Sequence, residues 1–315
     1  MKTAKSLIKV LVSIGMLALV LHLVDFQRLG QTLSEISIWT FSLIILGYAL
    51  GQLLSAWKWS LIAASGGIHS TFPVTLRAYL IGMYANCFGL GLVGGDVLRG
   101  LLLAGKTENK TTALASVVAD RAHGLAVLVV LGMLFALFDG RDTISPDFIY
   151  FTLLIPISVL ALWIVGPAVF FKLLPPHNRL RHKLEQAFSA FPKDIGTVVS
   201  ITVISVVFHL SQLFLHFVIF RALGASIPLL YVLSSIPFVN VLASLPISWN
   251  GLGVRENSYL FFLASVGLTN EQAVATGAIW LIAVAANSAI GGIVAFVGGD
   301  LKSEVERQEK LAVND

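Results

Sequence analysis

Six apolar runs dominate this sequence, at about 7–24, 38–62, 113–138, 148–171, 198–220 and 272–297. Each is close to or beyond the roughly 18–20 residues needed to cross a bilayer. Lipid offers the backbone no hydrogen bonds, so spanning segments of this kind satisfy their own as helices. Of 315 residues, 57% are hydrophobic and 12% charged, against about 25% charged in soluble domains. The fold class expected is all-α: a polytopic membrane protein over 1–315, a single integral membrane domain with almost no chain left for a soluble one.

Charge distribution sets the topology. The formal net charge is +4, which could suit nucleic acid. The excess of Lys and Arg on cytoplasmic loops explains it more simply, and no nucleic-acid partner is expected. Lys2, Lys5 and Lys9 precede the first run, and no small-residue cleavage site follows it. That run reads as an uncleaved first membrane helix. Residues 172–197 form a basic polar insertion with Lys172, Arg179, Arg181, Lys183 and Lys193, and with Leu180, Leu184 and Phe188 at helical spacing. This is the pattern of an amphipathic interfacial helix. Both basic regions are placed in the cytoplasm, and both termini with them. The segment from 300 to 315 reads as a charged, frayed tail.

Two further apolar segments do not fit as single crossings. Residues 73–104 end in Gly89-Leu-Gly-Leu-Val-Gly94-Gly95-Asp96-Val-Leu-Arg99, and residues 228–267 contain Pro246-Ile-Ser-Trp-Asn250-Gly251-Leu-Gly253-Val-Arg255-Glu256. Helix breakers and charges inside apolar sequence are tolerated only where protein or a water-filled cavity surrounds them. Lys/Arg counting leaves each segment to enter and leave on one face, as a broken helical hairpin. Each begins with a proline (Pro73, Pro228), carries an asparagine (Asn86, Asn240) and has a glycine four residues before an arginine (Gly95 and Arg99, Gly251 and Arg255). The expected organisation is therefore an inverted repeat of transporter type. Its halves are about 38–138 and 198–297, with Gly94, Gly95, Pro246, Gly251 and Gly253 shaping the hairpins. Trp39 and the Trp57-Lys58-Trp59 group read as an interfacial aromatic belt on the second span.

Candidate site residues follow from the cost of charge in a bilayer. Arg99, Arg121 and Arg255 lie in or beside apolar surroundings, with Asp96, Asp120 and Glu256 as acidic neighbours. A guanidinium fork suits phosphate or carboxylate. The functional reading is a basic centre that holds an anionic headgroup, with Asn250 beside it. The plainer reading is internal ion pairing, above all for Asp96 and Arg99 at helical spacing. His209, Gln212 and His216 share one helix face, where interhelical hydrogen bonding competes with a proton path. Gly100–Thr107 matches the phosphate-loop pattern letter for letter, but no strand leads in and no nucleotide domain surrounds it. The single cysteine, Cys87, excludes an intramolecular disulfide and reads as a small buried side chain. No metal site, cofactor or catalytic motif is expected.

The motifs Gly94-Gly-Asp-Val-Leu-Arg99 and Pro246…Gly251-Leu-Gly-Val-Arg-Glu256 resemble the two signatures of the lysylphosphatidylglycerol synthase transmembrane-region family. These flippase-like membrane proteins also form the membrane part of multiple peptide resistance factors. Trp57-Lys-Trp-Ser-Leu61 and the Asp120-Arg121 pair are similar to further family features, and the resemblance runs over about 7–297. It implies translocation of a lipid, or association with lipid modification, in a prokaryotic plasma membrane. The aminoacyl-transfer domain of the resistance factors is not in this sequence, so synthase activity is not expected. The leading expectation is a flippase-like transporter of a phospholipid or related anionic lipid. The alternatives are a membrane-embedded transferase acting on lipid, and a scaffold that docks lipid-synthesis enzymes through the basic segment.

Overall fold

The computed structural model describes residues 36–88, 91–105, 110–139, 146–175, 177–245 and 250–297, with Gln27, Gly30, Gln31, Ser34 and Ser248. The first apolar run, the 300–315 tail, Lys106–Thr107 of the loop-like match and Pro246 lie outside these residues. Among the described residues the chain is all-α, with eleven helices. They are α1 (Ile38–Ser65), α2 (Phe72–Phe88), α3 (Gly91–Ala104), α4 (Lys110–Asp139), α5 (Pro146–Ile164), α6 (Gly166–Leu173), α7 (Arg179–Ser189), α8 (Ile195–Ala222), α9 (Leu229–Ser244), α10 (Val254–Leu263) and α11 (Asn270–Val297).

Four helices, α1, α4, α8 and α11, are long and apolar enough to cross a membrane. A fifth candidate is a broken one. Thr152–Ile164 and Gly166–Leu173 meet at a 53° bend. The bend falls at Pro167, whose ring and missing N–H break the helical ladder there. Pro156 sits inside α5. Of the six expected spans the first lies outside the described residues; four of the others are continuous helices, and the one at about 148–171, which Pro156 and Pro167 are expected to kink, is the bent pair.

Exposed apolar side chains on the spanning helices mark surfaces available to lipid. On α1, Leu43, Leu46, Leu50, Leu53 and Trp57 are exposed, at the three- and four-residue spacing of one helix face. The opposite face is buried, and Trp59 is fully enclosed with its indole N–H donating to Ser116 Oγ at 3.0 Å. Trp59 is therefore a core residue, and the expected belt at the end of this span reduces to Trp57.

The residues fall into two compact units. One comprises residues up to Gly51, Leu128–Phe151 and His209–Asn287. It is built around the α9–α10 hairpin. Its main core joins Phe220, Ile227, Tyr231, Ile236, Phe238, Tyr259 and Phe262. His216 stacks on Trp280 with ring centroids 4.0 Å apart and faces Tyr259 Oη at 3.0 Å. Its Nδ1 lies 2.8 Å from the Gln212 carbonyl and must carry the proton there, which leaves Nε2 to accept from the Tyr259 hydroxyl. His216 is thus a hydrogen-bonded tie between α8 and α10.

The other unit comprises Gln52–Val127, Thr152–Phe208 and residues from Ser288. It is built around the α2–α3 hairpin. In the hairpin α2 and α3 pack closely against each other. Gly82 lies against Gly95 and Arg99, and Gly95 lies against Gly82 and Asn86. Any side chain at Gly95 would meet the Gly82 carbonyl and the Asn86 amide. Gly94 and Gly95 sit inside α3. Gly95 shapes the hairpin by close approach of two backbones.

In the same unit α7 is the expected amphipathic helix. The Asn178 side chain caps it by accepting from the Leu180 N–H at 2.8 Å. Arg181 donates to the last carbonyls of the preceding turn, Phe171 O and Leu174 O, at 3.0 and 2.9 Å. Phe188 is buried against Gly166, Phe170 and Phe171, while His182 and Lys183 face outward.

The two hairpins are less alike than their letters. In the second hairpin α9 ends at Ser244 and α10 begins at Val254, and Asn250, Gly251 and Gly253 before it have φ of 50°, 79° and 76°. Glycine takes that left-handed region freely, and Asn tolerates it better than most residues. Gly251 is thus a turn residue, whereas its counterpart Gly95 is helical.

Candidate functional site

Charge gathers at one place in the unit that holds α2–α3. Lys58 comes from α1, Asp96 and Arg99 from α3, and Asp120 and Arg121 from α4. Lys58 Nζ lies 2.9 Å from Asp120 Oδ1 and donates to the Asp120 carbonyl at 3.0 Å. Arg99 Nη2 lies 3.0 Å from Asp120 Oδ2, and Arg99 Nε lies 3.2 Å from Asp96 Oδ1. Arg121 closes the series. Its Nε meets Asp96 Oδ2 at 2.9 Å and its Nη2 meets Asp96 Oδ1 at 3.0 Å.

Burial divides these five residues. Lys58, Arg99 and Asp120 have side-chain exposures of 6%, 3% and 4%. Asp96 reaches 16%, and Arg121 reaches 53%. Arg99 is also roofed by aromatic rings, its guanidinium carbon 4.7 Å from the Trp59 centroid and 5.1 Å from that of Tyr79. Such contacts are worth about 0.5–2 kcal/mol each, more when desolvated. Tyr79 is itself fixed, donating to Gln52 Oε1 at 2.9 Å. Arg99 is thus enclosed by its ion pairs and two aromatic rings, with its Nη1 buried and without a hydrogen-bond partner.

Formal charge divides them the same way. Lys58, Asp120, Arg99 and Asp96 form a neutral set of two cations and two anions. Arg121 is the remaining charge. It lies eleven residues past Lys110 in α4, about 16 Å along the helix by rise. Nine residues separate it from Val130, half a revolution beyond two full turns at about 100° per residue. Val130, Leu134 and Leu137 are the exposed apolar stripe of α4, so Arg121 points away from that stripe; exposed Val118 borders its side. Beyond its two bonds to Asp96, the exposed half of this guanidinium, inside an apolar helix, suits water or an anion.

The other predicted residues lie in the second unit. Arg255 begins α10. Its Nε is buried without a hydrogen-bond partner, and its Nη2 folds back over Gly251. No carboxylate pairs with it among the described residues. Glu256, its neighbour in sequence, turns the other way. Glu256 Oε2 accepts from the Gly253 N–H at 2.7 Å and the carboxylate packs on Gly277 of α11. It therefore caps α10. Asn250 takes its left-handed place in the turn before Gly251.

Lys58 is the member that sequence reasoning passed over as part of an aromatic belt. A signal was present: it lies seven residues before Ser65, the end of α1, about 10 Å inside the helix by rise. A lysine at that depth needs a partner.

No curated protein and no solved structure matches the chain. The model of the lysylphosphatidylglycerol synthase transmembrane region matches residues 6–291. With its spans and its hairpin-borne motifs, the chain belongs to that family of multi-pass membrane proteins.

Proposed function

We propose that this protein moves a phosphate-bearing lipid between the leaflets of a prokaryotic plasma membrane, both termini lying in the cytoplasm. The observation that carries the reading is Arg121: a surplus cation, half exposed, in the interior of a spanning helix and turned from its apolar stripe. Its fork matches a phosphodiester, and the buried set behind it holds the fork in place. In the other unit, Arg255 has a buried and unsatisfied Nε of the same donor chemistry. The acyl chains stay in lipid while the headgroup meets the guanidinium. The work is translocation, with no chemical change to the lipid.

Reconstituted vesicles test this. Purified protein is expected to accelerate the transbilayer exchange of a fluorescent phosphatidylglycerol and to leave its mass unchanged. A new lipid product found by mass spectrometry would favour a transferase. No exchange across a broad lipid panel would favour a scaffold for lipid-synthesis enzymes.

A further inference from the structure

We infer that Asp96 is a built-in competitor, a carboxylate that occupies the Arg121 fork until a phosphate group displaces it. The inference rests on the reading of Arg121 as the headgroup ligand, and adds how that ligand is kept ready. Asp96 accepts both Arg121 donors, in the two-point geometry that a phosphodiester would also use. The exchange leaves no charge stranded. When Arg121 departs, Asp96 retains Arg99 Nε at 3.2 Å and the Asn86 amide at 3.5 Å. Arg99 retains Asp120, and Asp120 retains Lys58. The four residues left behind sum to zero, and Arg121 carries its single positive charge to the anion. Burial agrees with this division, since Arg121 is the exposed member and Asp96 the next.

Displacing a resident carboxylate weakens apparent affinity by the strength of the pair it breaks. A phosphate group gains only the difference, so release on the far side stays fast. Removing the carboxylate should therefore tighten binding, against the usual expectation for a residue in a polar site. Exposed ion pairs are weak, so the expected gain is about fivefold.

The test is phosphatidylglycerol titration of the full chain in neutral detergent, read by native mass spectrometry. Wild type, Asp96→Asn, Arg121→Gln and the double variant are compared, with inorganic phosphate as a parallel ligand. The inference predicts about fivefold tighter lipid binding for Asp96→Asn, weaker binding for Arg121→Gln, and no gain from Asp96→Asn in the Arg121→Gln background. A gain seen with inorganic phosphate alone would support the competitor and make a free anion its ligand. Loss of affinity in Arg121→Gln with no gain in Asp96→Asn would overturn the competitor and leave the transport reading standing. Unchanged affinity in Arg121→Gln would overturn both.

Should Asp96→Asn fail to fold, the wild-type side chains report directly. Guanidinium Nε–H resonances, assigned by Arg→Lys variants, are expected to shift for Arg121 on adding phosphatidylglycerol and to hold for Arg99. A stationary Arg121 resonance in lipid-saturated protein overturns the inference.

Discussion

Arg121 grips Asp96 through two parallel hydrogen bonds, Nε to Oδ2 at 2.9 Å and Nη2 to Oδ1 at 3.0 Å, while half of its own side chain stays exposed. Lys58 and Asp120, by contrast, are both sealed from solvent. The exposure is the feature that demands a solvent.

Water at Arg121 is directly measurable. In a Cys87→Ser background, Arg121→Cys is expected to react with a charged, membrane-impermeant thiol reagent at least about tenfold faster than Val130→Cys on the opposite face, because charged reagents and thiolates both avoid hydrocarbon. Equal, slow rates at the two positions would mean that Arg121 faces lipid or sealed protein.

The buried set sets stability. Asp120→Asn leaves Lys58 and Arg99 short of a charge they both share at 2.9 and 3.0 Å. Breaking a buried pair from one side costs about 3–5 kcal/mol. The expected result is a large fall in melting temperature in detergent and a poor folded yield. A melting temperature within a degree or two of wild type would show that the set is better solvated than its burial implies.

Gly95→Ala probes the first hairpin. A methyl there meets the Gly82 carbonyl and the Asn86 side chain, so α2 and α3 must separate. Overpacking of this kind costs about 1–3 kcal/mol. Thermal unfolding should register it, and neutral behaviour would show that the two backbones do not touch.

How much of this was legible in the sequence depends on what each residue type announces. Long apolar runs announced α1, α4, α8 and α11, and Pro167 announced the bend after α5. The charged residues Asp96, Arg99, Asp120 and Arg121 announced themselves by sitting in apolar sequence. Glycine was ambiguous. The same letter serves Gly251, where φ is 79°, and Gly95, where a neighbouring backbone lies against a helix; only tertiary packing tells them apart. Lys58 was hidden by its neighbours, because Trp57 and Trp59 read as a belt although one is exposed and the other enclosed. Glu256 reads as a partner for Arg255 until the turn at Gly253 directs it to its own helix N-terminus.

That last contrast separates two adjacent residues by experiment. Glu256→Gln weakens a cap and its packing on Gly277, for a loss of about 0.5–2 kcal/mol. Arg255→Gln removes an unsatisfied cation and should leave stability unchanged while lowering phosphatidylglycerol retention severalfold. The reverse assignment, with Arg255→Gln unstable and Glu256→Gln deficient in lipid, would move the ligand contact to the carboxylate.

The most direct test of the whole account is lipid exchange in vesicles carrying equal amounts of folded wild type and Arg121→Gln. The account predicts rapid exchange of fluorescent phosphatidylglycerol by the wild type and a rate at least about tenfold lower for the variant, the factor that a lost charge-assisted pair of about 1.4 kcal/mol produces. Equal rates in the two proteins would contradict it.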